Sequence, residues 1–231
     1  MKTIGLIGGM SWESTAVYYK LMNERVRARL GGLNSAQLVL WSFNFEEIAQ
    51  LQSSGQWEKA AEHMVFAANA LQAAGADGLV ICTNTMHKLA PEIEHAVNLP
   101  LLHIADATAD AIQAAGINKV GLLATRFTME EDFYRARLKD MFGIEAIIPT
   151  ETQRAIVHDT IYNELCSGLI MPQSRLRFLE IIDALVQRGA GGIILGCTEI
   201  GLLIKQSDTQ TKLFDSTELH ANAAVDWSLE N

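Results

Sequence analysis

Short, almost continuously apolar runs alternate along the chain with longer amphipathic ones, and one or two turn residues separate each pair. The apolar runs predict strands near 3–8, 37–42, 79–82, 101–104, 119–124, 145–148, 192–196 and 212–214. Between them the periodicity predicts helices over 12–30, 56–74, 129–142, 153–167, 173–188 and 216–229. Strands that are apolar throughout suit a parallel sheet covered by helices on both faces, and strand–helix alternation gives the same α/β class. Gly75, Gly116, Gly143 and Gly189 stand where helices should stop. No linker-like or low-complexity stretch interrupts the pattern.

The eight strands fall into two sets of four that resemble each other. The segment from Leu71 through Gly75-Ala76-Asp77-Gly78-Leu79-Val80-Ile81 to Asn84 is answered 114 residues later, from Leu185 through Gly189-Ala190-Gly191-Gly192-Ile193-Ile194-Leu195 to Thr198. Ile4-Gly5-Leu6-Ile7 is answered by Val120-Gly121-Leu122-Leu123. Such a repeat predicts an internal duplication. The expected fold is two similar α/β domains, each a four-stranded, mainly parallel sheet flanked by helices, related by a pseudo-twofold. The expected boundaries are 1–104 plus 216–231 for the first and 105–215 for the second, with an active site in the cleft between them.

Composition narrows the class. The chain has 231 residues, 49% of them apolar, enough for two small domains of about 100 residues each. Eighteen Lys and Arg against 27 Asp and Glu leave a net charge of −9. That argues against nucleic acid or an anionic membrane as partner, since both need clustered cations. A small charged ligand needs only local complementarity. No apolar run approaches the ~18 residues of a spanning helix, and the N-terminus enters a strand without signal-peptide features; a cytoplasmic location is expected. The six His and three Cys show neither His-x-x-x-His nor Cys-x-x-Cys spacing, so no metal site is expected. Gly5-x-x-Gly8-Gly9 is not the dinucleotide spacing, and Gly-x-Ser-x-Gly is absent.

In the register of the repeat, Cys197 answers Thr83 and Gly196 answers Cys82. Thr83 and Cys197 are each expected just past the C-terminal end of a buried parallel strand, the edge where open α/β sheets bind ligands. Two proton-transfer groups on opposite faces of one carbon are what a racemase requires. Backbone N–H groups at a helix start after Cys197 are expected to lower its thiol pKa. Cys82 lies within strand apolar sequence and Cys166 within a helical pattern, and both read as core.

The blocks Gly5-Leu6-Ile7-Gly8-Gly9-Met10-Ser11-Trp12-Glu13-Ser14-Thr15, Asn84-Thr85-Met86-His87, Gly121-Leu122-Leu123-Ala124-Thr125 with Thr128, and Gly196-Cys197-Thr198-Glu199 resemble those of the aspartate/glutamate racemase family. Phe214-Asp215-Ser216-Thr217 is similar as well. The resemblance covers essentially the whole chain. It implies an amino-acid racemase that needs no pyridoxal phosphate or other cofactor, commonly a homodimer, with one cysteine from each half acting on the substrate α-carbon. This chain departs from the pattern at one catalytic position, where Thr83 replaces the first cysteine; Cys82 is offset by one residue and points the other way in a strand. The implied enzyme is asymmetric. Cys197 and Thr83 are the expected catalytic pair, with Cys197 serving the L-enantiomer efficiently and Thr83 the D-enantiomer slowly.

Asn84, Thr85 and Thr198 are suited to holding the substrate α-carboxylate. Met10 matches a family pocket position and otherwise packs its loop. Thr125, with Thr128, flanks the corresponding strand end of the second half, where ligand binding and helix capping would both account for it. Glu199 and His87 are candidates for orienting the catalytic groups. No Lys or Arg lies between Arg29 and Lys59, so Gln52 is the expected contact for a distal polar group. The substrate is expected to be aspartate or glutamate; the alternatives are neutral polar amino acids such as homoserine, or an amino-acid-binding protein without catalysis.

Overall fold

The computed structural model describes residues 1–230, which divide into two compact units. One comprises Met1–His103 and the chain from His220 onward; the other comprises Ile104–Leu219. The first contains strands β1 (Ile4–Gly8), β2 (Leu38–Ser42), β3 (Gly78–Ile81) and β4 (Leu101–Leu102), with helices α1 (Trp12–Leu30), α2 (Phe45–Ser53), α3 (Trp57–Ala73) and α4 (Ala90–Ala96). The second contains β5 (Lys119–Ala124), β6 (Glu145–Ile147), β7 (Gly192–Gly196) and β8 (Lys212–Asp215). Its helices are α5 (Ile104–Ala114), α6 (Arg126–Glu130), α7 (Asp132–Phe142), α8 (Glu151–Asn163), α9 (Pro172–Gln187) and α10 (Ile200–Leu203). Helix α11 (Ser216–Leu229) begins in the second unit and ends in the first.

All eight strands anticipated from the apolar runs form, and both sheets are wholly parallel. Their orders are β2-β1-β3-β4 and β6-β5-β7-β8. The repeat extends to side-chain packing. A methyl group on Gly5 would meet Leu71, Ala76 and Leu79, and one on Gly121 would meet Leu185 and Ile193. These glycines let a helix approach its strand closely in each unit.

In the first sheet, residues of β3 and Cys82 just after it alternate between two cores. Leu79 and Ile81 join Ile7, Ile48 and Met64, while Val80 and Cys82 join Ile4, Leu6, Tyr18 and Val225. Ile104 belongs to the core of the second unit, with Leu122, Ile182 and Ile194. Ser216 Oγ donates to the Leu195 carbonyl at 2.9 Å, which ties the start of α11 to β7. No helix among the described residues is long and apolar enough to cross a membrane.

Two helices expected to be continuous are broken. The 129–142 segment divides at Glu131, whose extended backbone (ψ 156°) ends α6 and starts α7. Glu130, Glu131 and Asp132 are three consecutive acids. They repel within one helix, whereas Asp132 in a new first turn meets the positive end of a helix. The 153–167 segment starts earlier, at Glu151 after a Thr150–Gln153 capping box, and ends at Asn163. Leu165–Ser167 then forms a 3₁₀ turn closed by Gly168 in the left-handed region, so Cys166 is partly buried in a turn and not inside an α-helix.

Candidate active site

Each sheet has one point where its connections part in opposite directions: β2 lies on one side of β1 and β3 on the other, and β5–β7 repeat this arrangement. Crevices form at such points outside the carboxyl ends of the strands. Ile7 pairs with Ile81 and Ala124 with Gly196. Met10 and Thr83 therefore leave one such point, and Thr125 and Cys197 leave the other.

In the second unit, Cys197 follows β7 directly and is partly buried. Its Sγ donates to Glu199 Oε2 at 2.9 Å. Burial, reinforced by that carboxylate, holds the thiol well above its ordinary range. This reverses the lowering expected from a helix start. Helix α10 is a single turn that begins only at Ile200, so its dipole is weak, and the charge acting most strongly on the sulfur is negative. At neutral pH the proton rests on sulfur and points at the carboxylate.

Thr198 is tied down by Thr217, whose hydroxyl donates to Thr198 Oγ1 at 3.2 Å. Asp215 Oδ1 accepts from the backbone amides of Thr217 and Glu218 and so caps α11. The Phe214-Asp215-Ser216-Thr217 block thus buttresses the end of β7. Thr125 stands at the N-cap position of α6. Its carbonyl accepts from the Met129 amide, and its hydroxyl lies 3.3 Å from that of Thr128 without bonding a helix amide. Tyr162 was not anticipated: burial, followed by the nearby charges of Cys197, Cys166 and Glu199, pushes its hydroxyl up to about 12.

In the first unit, Thr83 lies two residues past β3 and is partly buried. Asn84 and Thr85, both buried, open a short 3₁₀ helix over Thr85–Leu89. His87 Nδ1 donates to the Thr83 carbonyl at 2.8 Å. Cys82 is fully buried, its amide extends the sheet by donating to the Ile7 carbonyl, and burial pushes its thiol up. Met10 is buried in the core cluster of Ile7, Ile48 and Met86. Gln52, in α2, is buried with its amide nitrogen 3.0 Å from Met86 Sδ. Lys88 also stands in the Thr85–Leu89 turn, and its ammonium lies 3.9 Å from the centre of the Trp57 ring.

The two units thus share one parallel α/β architecture, with the Cys197–Glu199 pair at the switch point of one and Thr83, Asn84 and Thr85 at that of the other. The chain belongs to the Asp/Glu/hydantoin racemase family, whose profile matches residues 7–224, and is accordingly an isomerase of the amino-acid racemase class. It is similar over its whole length to the crystal structure of a candidate Asp/Glu racemase from Yersinia pestis, at 53% identity and a TM-score of 0.94, with all of both chains covered. An aspartate racemase homologue from Pyrococcus horikoshii OT3 is 35% identical, with a TM-score of 0.87 and all of both chains covered. The broad specificity amino-acid racemase RacX of Bacillus subtilis is 23% identical over 228 residues, or 96% of each chain.

Proposed function

We propose that the protein racemises acidic amino acids, aspartate or glutamate, by side-chain acid/base chemistry at the α-carbon, and that it favours the L-enantiomer in the proton-removal step. The observation that carries this reading is the Cys197–Glu199 pair at the end of β7, at the position the repeat equates with Thr83. Glu199 accepts the thiol proton, and the thiolate takes the α-proton from the L-substrate. The Thr83 hydroxyl then protonates the opposite face of the carbanion; water restores the hydroxyl proton, and Glu199 releases the proton it took to the hydroxide so formed, which returns the enzyme to its starting state. Charge developing on the α-carboxylate is held by Asn84, Thr85 and Thr198. A thiol paired with a carboxylate exchanges protons far more readily than an alcohol, which is the source of the asymmetry.

Lys88 supports a dicarboxylic substrate. Residues three apart eclipse in a 3₁₀ helix, so Thr85 and Lys88 share one face of their turn. Thr85 then meets the α-carboxylate and Lys88 the distal one. Gln52 supports the second reading, a neutral polar substrate such as homoserine, because its amide is suited to a hydroxyl. The enzyme works in the cytoplasm as a homodimer.

The test is α-proton exchange in D₂O, followed by proton NMR without added pyridoxal phosphate, on separate L and D forms of aspartate, glutamate and homoserine. Enantiomers are equal in energy, so kcat/KM is the same in both directions. The asymmetry therefore appears in exchange with retention: fast from L, slow from D. Binding without exchange of any of the six overturns the proposal in favour of a binding protein.

A further inference from the structure

Behind the Thr83 turn lies a group of three buried histidines that the acid/base steps do not use. His87, His103 and His220 are 2%, 5% and 1% exposed. The His87 ring centre lies 4.5 Å from that of His103 and 5.6 Å from that of His220. His220 is itself held at both ends: Nε2 donates to the Leu102 carbonyl at 2.7 Å, and Nδ1 is 2.9 Å from the hydroxyl of the fully buried Tyr18. His103 and His220 are also the residues at which the chain leaves and re-enters this unit.

His87 uses its two donors differently. Its backbone amide donates to the Asn84 carbonyl at 3.1 Å, the i to i+3 bond of a 3₁₀ turn. In an α-helix that amide would have served the Thr83 carbonyl. The imidazole reaches back instead, and Nδ1 takes that place at 2.8 Å. A carbonyl oxygen only accepts, so Nδ1 carries the hydrogen. By the same argument, His220 carries its hydrogen on Nε2, towards Leu102.

We propose that His87 is a positioning residue for Thr83: its ring, fixed between His103 and His220, holds the peptide after Thr83 and thereby aims the Thr83 hydroxyl. The inference rests on the proposed role of Thr83 in proton transfer, and its test separates the two. The two flanking rings remove His87's freedom to turn, which makes the hydrogen bond from Nδ1 an effective constraint on the backbone.

Two measurements decide it. Nitrogen-15 chemical shifts of the ring should show His87 with hydrogen on Nδ1 and His220 with hydrogen on Nε2. A His87 with hydrogen on Nε2 alone overturns the proposal, and this readout does not depend on turnover. The second is exchange from L and D substrate in His87→Phe, which keeps a flat ring without a donor, and His87→Asn, which keeps a donor near the Nδ1 position. The expected result is about a tenfold loss of exchange from D in His87→Phe, with exchange from L kept within about twofold, the effect of one buried hydrogen bond. His87→Asn should recover most of the D rate, and His87→Phe should add nothing in a Thr83→Ala background. Equal loss from both enantiomers, or a His87→Phe protein that matches the wild type, overturns the positioning role. Absence of exchange from either enantiomer in the wild type overturns the racemase reading and leaves the ring shifts to decide the His87–Thr83 contact.

Discussion

The Cys197 thiol donates its hydrogen to the Glu199 carboxylate across a two-residue turn, with Sγ 2.9 Å from Oε2. Burial sets the thiol pKa high, and the carboxylate raises it further. Replacing Glu199 by Gln removes the negative charge and leaves the burial. The thiol pKa should then fall, and alkylation of Cys197 by iodoacetamide at pH 8 should become faster. Racemisation should nevertheless drop, because the proton acceptor has gone. Cys166 is partly exposed, so the comparison belongs in a Cys166→Ser background. Alkylation unchanged by Glu199→Gln would remove the carboxylate from the control of this thiol.

Thr83→Cys should raise α-proton exchange from the D-enantiomer by at least about tenfold, because a thiol ionises some orders of magnitude more readily than an alcohol. Thr83→Ala should abolish exchange from D and spare exchange with retention from L. A Thr83→Cys protein with an unchanged or slower D rate contradicts the assignment of this residue.

The Lys88 ammonium over Trp57 gives a specificity prediction. Lys88→Met should raise KM for aspartate or glutamate by roughly tenfold, the loss of one charge-assisted hydrogen bond, and should leave homoserine within about twofold. Gln52→Leu should weaken homoserine more than the dicarboxylates. Parallel losses for every substrate in Lys88→Met would place this lysine in the fold and not in recognition.

Gly9 has φ +82°, and a methyl group there would collide with the Phe43 backbone nitrogen and oxygen. Gly9→Ala should therefore cost about 2–4 kcal/mol, from the left-handed backbone and the overlap together. Gly143 has φ +69° and ψ 17°, in the left-handed region, with nothing within 4 Å of its would-be methyl, so Gly143→Ala should cost only about 1 kcal/mol. Thermal unfolding of the two variants side by side tests the difference.

His158 accepts from the Arg126 amide through Nδ1 at 3.2 Å, and burial, then the Arg126 charge, lowers its pKa. The unfolded chain takes up this proton near pH 6.5, before the folded protein does. The contribution to stability is thus present above pH 6.5 and is lost as the pH falls through the lowered folded value. Between pH 7.5 and 5.5 the melting temperature of the wild type should fall more than that of His158→Asn, which keeps an acceptor without titrating. Equal falls would show that His158 does not carry this dependence.

Much of this architecture is written in short-range pattern. The eight strands follow from apolar runs of three to six residues, and the match of Leu71, Gly75, Ala76 and Gly78 with Leu185, Gly189, Ala190 and Gly192 anticipates two sheets of the same strand order. Both features depend on neighbours along the chain: strand periodicity, and glycine where a helix must stop or a methyl group would collide. The break at Glu131 was equally local, an acidic run whose repulsion the apolar periodicity of 129–142 obscured.

By itself, then, the sequence determined the strands, the duplication and the equivalence of Thr83 with Cys197. Tertiary structure decided the state of those groups. The high thiol pKa of Cys197 arises from burial and from the carboxylate that the turn folds against the sulfur, whereas the one-dimensional reading pointed to a helix start. The histidines at 87, 103 and 220 and Tyr18 meet only because β4, α1 and α11 converge on the turn after β3. Desolvation and contact between segments up to two hundred residues apart act through space, and spacing along the chain carries no record of them.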